Sequence, residues 1–387
     1  MIDVAPIDLF LDDRHVDLAD EVTEFAAETI ATLHHPRDDA AARVQAREIL
    51  DLLGGAGWAS YAVPDHKADI DALDLRACCL IREALAGASS LADAVFALQC
   101  LGSLPVALAG SNELKQRWLS GVASGNIMAA FAMTEPEAGS DVGGIETRAE
   151  RDGDDYVLNG HKTLISNAGI ADFYTVFAKT NPEAGTRGLT AFLVPADTPG
   201  LEFAGAQVMS EPHPLGEITF VDCRVPADFR LGEEGEGFKL GMRTLDRLRT
   251  TVAAAACGMA TRALDEALEH ARHREQFGRP LADFQLVQQK LARMSTDLTA
   301  ARLLVYRAAC EADLGAERII LESAMAKAFA TEAAQRIVDD AVQIIGGQGA
   351  LAKHPVDRLY RAVRALRIYE GTTEIQHLVI ARELLKP

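Results

Sequence analysis

The sequence predicts an α+β chain in three parts. These are an all-α region over residues 1–127, a central antiparallel β-barrel or sandwich over 128–235, and a C-terminal four-helix bundle over 236–387. Three observations lead there. Apolar residues recur at helical spacing before about residue 127 and after about 236. Between them, short β-branched and aromatic runs are bounded by turn residues, with no helical pattern separating them. The stretch from Gly237 to about Glu275 holds no proline, enough for a helix of roughly 55–60 Å.

Taken in order, Val22, Phe25, Ala26 and Ile30 share one helical face. Similar Ala/Leu-rich stretches run near 40–54, 71–87 and 89–109, punctuated by Gly54, Gly55, Gly57 and Pro64. Strands are expected at 156–158, 164–165, 173–178, 189–194 and 218–221, with Asp152-Gly153 and Asn159-Gly160 supplying hairpin turns. Strands spaced this regularly without intervening helices argue for a barrel or sandwich and against a Rossmann sheet. In the last part Gly278 and Pro280 stop the long helix, and Asp283 is the expected cap of the next, which runs to about Asp313. Further helices fit 317–345, ending at Gly346-Gly347, and 372–385. Long helices on short loops give a bundle.

Composition excludes several classes of function. The 387 residues carry 38 Lys and Arg against 57 Asp and Glu, a net charge of −19. An acidic chain is a poor ligand for nucleic acid or for an anionic membrane surface. Hydrophobic residues make up 49% and charged ones 25%, the balance of a globular chain with a large core rather than a disordered one. The longest apolar run identified, Val252 to Ala260, is too short to cross a bilayer. Acids at Asp3, Asp8, Asp12 and Asp13 do not suit a secretion or transit signal. The six cysteines form no CxxC pair and read as buried thiols of a reducing cytoplasm. Metal sites are not expected: Glu374-Ile-Gln-His377 alone fits the E-x-x-H of a di-iron bundle, and His270 and His273 lack a third ligand nearby in sequence. Gly347-Gln-Gly349 followed by Ala352 mimics a dinucleotide motif but follows a helical stretch, not a strand.

Three segments carry the chemistry. Phe131-Ala-Met-Thr-Glu-Pro-Glu-Ala-Gly-Ser-Asp-Val142 is a loop, since Pro136 and Gly139 forbid a continuing helix; it presents the hydroxyls of Thr134 and Ser140. Asn159-Gly-His-Lys-Thr-Leu-Ile-Ser-Asn-Ala168 is a hairpin arm followed by a strand. Ile368-Tyr-Glu-Gly-Thr-Thr-Glu-Ile-Gln376 places Glu370 just before a helix-interrupting glycine. Read plainly, these are a capped turn, a strand and a helix-terminal acid. Read together they closely resemble the signatures of the acyl-CoA dehydrogenase family. The resemblance continues in Arg274-Glu-Gln-Phe-Gly278, Gln343-Ile-Ile-Gly-Gly-Gln-Gly349 and Asp246-Arg-Leu-Arg249, and covers residues 20 to 386.

The resemblance implies an enzyme that uses FAD. Flavin contacts are expected from Phe131, Met133, Thr134, Leu164, Ser166, Arg274, Phe277, Gln343, Gly347, Thr372 and Glu374. In the family the R-x-x-F-G segment reaches the FAD pyrophosphate of a neighbouring subunit, and the glycine turn lies on the adenine side. Leu164 stands where the family usually has an aromatic residue. Substrate contacts are expected from Ser140, Asp246, Arg249, Tyr369 and Gly371, and Glu370 is the expected catalytic base. Some relatives carry the base beside D-x-x-R; here that position is Leu248, so Glu370 has no rival. The implied reaction is α,β-dehydrogenation of an acyl-CoA to a trans-2-enoyl-CoA. The base takes the α-proton and a hydride passes from Cβ to flavin N5. A cytoplasmic homotetramer that passes electrons to electron-transferring flavoprotein is expected. The alternatives are a dehydrogenase of acyl-carrier-protein thioesters, an oxidase that uses O₂, and a catalytically silent scaffold. Residues 207–216 depart from the family's K-x-G-x-R-x-S, with two prolines and a histidine.

Overall fold

The structure is a computed structural model that describes residues 2–64 and 73–386. Its helices and strands follow the three-part order expected. Helices α1 (Asp13–Glu28), α2 (Asp39–Gly55), α3 (Leu75–Ala88), α4 (Ser90–Ala109) and α5 (Asn112–Ala123) come first. Residues 71–72 of the expected third helix lie outside the described residues. Eight strands follow: β1 (Ala129–Ala132), β2 (Arg148–Asp152), β3 (Asp155–Ser166), β4 (Phe173–Lys179), β5 (Leu189–Pro195), β6 (Leu201–Ala206), β7 (Leu215–Pro226) and β8 (Arg230–Leu231). The last part holds α6 (Gly237–His273), a small hairpin of β9 (Glu275–Gln276) and β10 (Arg279–Pro280), then α7 (Gln285–Asp313), α8 (Ile320–Ile345), α9 (Pro355–Leu366) and α10 (Thr373–Leu384). Packing groups these elements into two compact units: residues 1–34, 75–93 and 246–387, and residues 35–74 and 94–245.

The second unit is built on one mixed sheet. Its order is β6-β7-β3-β2-β4-β5-β8, with β1 paired parallel to β4. The two ends of the path do not pair, so the sandwich expectation holds and the closed barrel does not. Gly153 takes a left-handed φ of 65° in the two-residue turn that joins β2 to β3, as Asp152-Gly153 suggested. Asn159-Gly160 is not a turn. It lies inside β3 at a register shift, where a Cβ on residue 160 would come within 2.3 Å of Thr147 Oγ1. The glycine therefore permits close strand approach rather than chain reversal. One core layer joins Phe173, Phe177, Leu189 and Leu193 to Trp118 and Leu119 of α5; the opposite layer joins Tyr156, Phe192, Phe220 and Val225. Gln99 is fully buried, and its amide bonds Ile127 O (2.7 Å) and Ala129 N (2.8 Å), fixing the entry to β1.

The first unit is helical. α8 packs on α7, α9 and α10, and α3 packs on α1 and α7. α3 is capped from a distance: Asp313 of α7 accepts from the N–H groups of Leu75 (2.8 Å) and Arg76 (3.0 Å), a carboxylate at a helix N-terminus. Asp283 does not cap α7; Phe284 occupies the N-cap position without a side-chain bond. Gly258 of α6 meets the α3 backbone so closely that a Cβ there would sit 2.0 Å from Glu83 O. The buried Glu83 accepts from Tyr306 (2.7 Å) and pairs with Arg302 (2.8 Å).

α4 corrects the membrane reading. Its 20 residues are apolar enough to span a bilayer by length and composition, and 78% of that window is buried inside the protein, as in a core helix. All six cysteines are free thiols; five are buried and Cys310 is half-buried.

Candidate active site

In the sheet unit, the first two segments meet. Thr163 N–H donates to Thr134 O (3.0 Å), which sets the 131–142 loop beside the end of β3. Glu135 and Lys162, from one segment each, form a buried ion pair at 2.7 Å. Lys162 also donates to Met133 O (3.1 Å), and Glu135 accepts from the N–H groups of Glu146 and Thr147 and from the Thr147 hydroxyl. Burial pushes the Glu135 carboxyl up, but Lys162 and these donors outweigh it and hold the group below its usual range. Behind this pair Met133 is buried in the core, and Phe131 packs on Phe177 at 4.9 Å.

A bulge between Lys162 and Ile165 extrudes Leu164 in a left-handed conformation (φ 55°). The side chain is 56% exposed. The divergent 207–216 segment holds this turn at several points. Gln207 accepts from Leu164 N–H (2.8 Å) and donates to Thr163 Oγ1 (2.9 Å) and Glu217 Oε1 (2.8 Å). Pro214 O accepts from Asn167 N–H (2.7 Å), and His213 Nε2 meets Ser166 Oγ at 2.7 Å. Burial drives the His213 imidazole down to about 4, so it is neutral at pH 7. The departure in sequence is thus the scaffold of the turn. Ser140 is exposed on the adjoining loop.

In the helical unit, the C-terminal segment forms a strained presentation of Glu370. Glu370 and Gly371 are successive left-handed residues (φ 53° and 93°) between α9 and α10. Thr372 then caps α10 by accepting from Ile375 N–H. One Glu370 oxygen, Oε2, is buried without a partner. Burial raises the Glu370 pKa, opposed in order by Arg82, Lys327 and Arg249, while Asp93 adds to the rise. Arg82 is itself held by both oxygens of Asp93 (2.7 and 2.9 Å) and donates to Thr251 (2.8 Å). Tyr369 beside it has its phenol pushed up by burial and stays neutral.

Asp246 and Arg249 pair at 3.2 Å, but not on the surface. The Arg249 side chain is 6% exposed, and its Nε and Nη1 have no partner. Arg249, Glu370, Tyr369 and Gly371 therefore belong to one electrostatic neighbourhood, together with Arg82, Asp93 and Lys327, which no motif indicated. Arg82 and Lys327 sit on helices with no local signal of function; only their full burial as cations marks them. Other expected residues lie on exposed surface: Arg274 and Phe277 on the β9–β10 hairpin, Gln343 and Gly347 at the end of α8, and Glu374 on the first turn of α10. Phe277 is 94% exposed at a φ of 54°.

These groups suit a flavin and a thioester. Leu164 offers an exposed apolar side chain on the strand that also carries Ser166, a surface suited to the apolar face of a flat ring. The unpartnered Arg249 N–H groups, Glu370 Oε2 and Gln376 Oε1 are buried polar atoms that a bound ligand with donors and acceptors would satisfy.

Comparison with known proteins agrees. Family profiles for the acyl-CoA dehydrogenase N-terminal, middle and C-terminal domains match residues 12–126, 130–223 and 235–385. A probable acyl-CoA dehydrogenase of Mycobacterium leprae is 38% identical over 382 residues, 98% of this chain and 97% of that protein. The butyryl-CoA dehydrogenase structure from Megasphaera elsdenii superposes with a TM-score of 0.89 at 35% identity, covering 97% of this chain and 99% of that one. PigA, solved with FAD and proline, superposes with a TM-score of 0.86 at 30% identity, covering 97% and 98%. Fold and relatives define an oxidoreductase. The chain belongs to the acyl-CoA dehydrogenase family, whose members use FAD.

Proposed function

We propose that the enzyme dehydrogenates an acyl-CoA thioester across its α,β bond to the trans-2-enoyl-CoA, with Glu370 as the base that takes the α-proton. The observation that carries this reading is the desolvated Glu370 carboxylate, one oxygen unpartnered, on a left-handed turn among three cations. Desolvation makes the carboxylate a stronger base than it is in water, and the cations Arg82, Lys327 and Arg249 oppose that rise. The Glu370 backbone N–H donates to the thioester carbonyl, which acidifies Cα. Asp246, Arg249, Tyr369, Gly371 and Ser140 hold the thioester and its CoA. Thr134, Leu164 and Ser166, with Phe131 and Met133 behind them, hold the flavin together with Thr372 and Glu374. Arg274, Phe277, Gln343 and Gly347 reach the FAD of a neighbouring subunit in a homotetramer. When bound, FAD supplies the acceptor for the hydrogen leaving Cβ. The enzyme works in the cytoplasm and passes its electrons to an electron-transferring flavoprotein.

Anaerobic bleaching of the flavin tests the reading. Wild-type enzyme should bleach with at least one member of a panel of straight, branched, cyclic and dicarboxylic acyl-CoAs. Glu370→Gln should retain FAD and bind the same thioester. Its bleaching rate should fall by at least ~10²–10⁴-fold, the loss of a general base. Bleaching of the variant at the wild-type rate would place the base elsewhere. Bleaching by carrier-protein thioesters alone would move the substrate to that class.

A further inference from the structure

The turn that carries Glu370 is costly, because a non-glycine residue in the left-handed region persists only where its surroundings hold it. Two fully buried side chains do so. Lys327 of α8 donates to Gly371 O at 2.6 Å. Gln376 of α10 donates to the same oxygen at 3.0 Å and to Glu370 O at 3.3 Å. Glu332, one turn further along α8, accepts from Arg367 (2.7 Å) and Thr373 Oγ1 (2.8 Å) on either side of the turn. The turn is thus fastened to α8 at both ends and in the middle.

The charges around Glu370 are not equivalent. Arg82 of α3 is neutralised by Asp93, and Arg249 of α6 is paired with Asp246. Glu332 is engaged with Arg367, and Glu374 is exposed on α10. Tyr369 is neutral. Lys327 hydrogen-bonds a carbonyl instead of a carboxylate, so it is the cation of this group whose charge no acid of its own cancels. Burial drives its ammonium down to about 8, with Glu370 the first of the charges that oppose the fall.

We propose that Lys327 is a positioning residue for the base: its ammonium clamps the Gly371 carbonyl to hold the left-handed Glu370–Gly371 turn, and its uncancelled charge sets the pH at which Glu370 becomes a base. The proposal rests on Glu370 being the base. Neither half follows from a structural lysine alone, since an apolar contact would fill the same space without fixing the carbonyl or biasing the carboxylate.

The test uses the FAD-loaded enzyme and the acyl-CoA that bleaches it fastest. The pH profile of the second-order bleaching constant reports the base in the free enzyme. A cation near a carboxylate lowers its pKa, so removing the cation raises it. In Lys327→Met the limb that rises as Glu370 ionises should move up by about one pH unit, with a fall of about tenfold at pH values below it. Lys327→Gln, which keeps a donor but no charge, should move the limb in the same direction while retaining more of the plateau rate. Lys327→Arg should return the limb to the wild-type position. FAD content and thermal midpoint, read on the same samples, separate misfolding from the effect. If Lys327→Met does not fold, Lys327→Gln and Lys327→Arg carry the comparison. A limb that stays put in both neutral variants, with rates falling in parallel at every pH, would overturn the proposal. That failure differs from failure of the base assignment, in which Glu370→Gln itself bleaches normally.

Discussion

Lys162→Met isolates the ion pair that joins the first two segments. Lys162 is fully buried and Glu135 is 6% exposed, with Nζ and Oε1 2.7 Å apart. Removing one partner of such a pair costs about 3–5 kcal/mol, because the remaining charge stays buried. Glu135 keeps its donors from Glu146 and Thr147, so the lower end, about 3 kcal/mol, is expected. At about 2 °C per kcal/mol for a chain of this size, the midpoint should fall by about 6 °C. The double variant Glu135→Leu with Lys162→Met should recover at least half of that loss, since it leaves no orphaned charge. Lys162 also holds Met133 O beside Thr134, so the single variant should release FAD faster. The acid limb gives a further check. The Glu135 carboxyl lies below its usual value in the folded protein. The stability it contributes is therefore present above the ordinary glutamate pKa and is lost as pH falls through the lower folded value. Lys162→Met should lose part of that dependence. Scanning fluorimetry of both variants decides the matter: a single variant within 1 °C of wild type, at roughly 0.5 kcal/mol, or a double variant no better than the single, would refute the reasoning.

Gly258→Ala places a Cβ 2.0 Å from Glu83 O, so α3 and α6 must part. A loss of about 3 kcal/mol is expected from overpacking, and an unchanged midpoint would mean that the helices are not in backbone contact. Arg249→Leu removes a guanidinium with two unpartnered buried N–H groups along with its link to Asp246. The two effects oppose each other, so the midpoint should move by less than about 2 kcal/mol equivalent. Catalytic efficiency should fall by about 10²-fold as the thioester loses its alignment; a collapsed midpoint with normal turnover per flavin would make the residue structural. Arg274 is exposed on the β9–β10 hairpin, where a guanidinium can hold a pyrophosphate through two parallel bonds. Arg274→Ala should lose FAD and dissociate together on dilution. A stable, fully loaded oligomer, measured by absorbance and light scattering, would rule out a shared site.

The sequence by itself determined the order of helical, sheet and helical parts, because hydrophobic period is a local property. α6 starts at Gly237 and ends within two residues of the expected stop, where Gly278 and Pro280 follow. The short strands β1, β2, β6 and β8 were not legible, since strands of two to six residues owe their existence to a neighbour rather than to their own pattern. Asn159-Gly160 reads as a turn in isolation and becomes strand interior only because β7 pairs across it. The resemblance of three segments to the family's signatures is what pointed to Glu370, Thr134 and Ser166. Only tertiary structure decided what surrounds them. Arg82, Asp93 and Lys327 lie 288, 277 and 43 positions from Glu370 in the chain, and their charges reach it because folding removes the intervening water. That Arg249 is buried while its partner Asp246 stays partly exposed was likewise decided by packing. Local chemistry is written along the chain; the dielectric around it, and so the strength of each charge, exists only once the chain has packed.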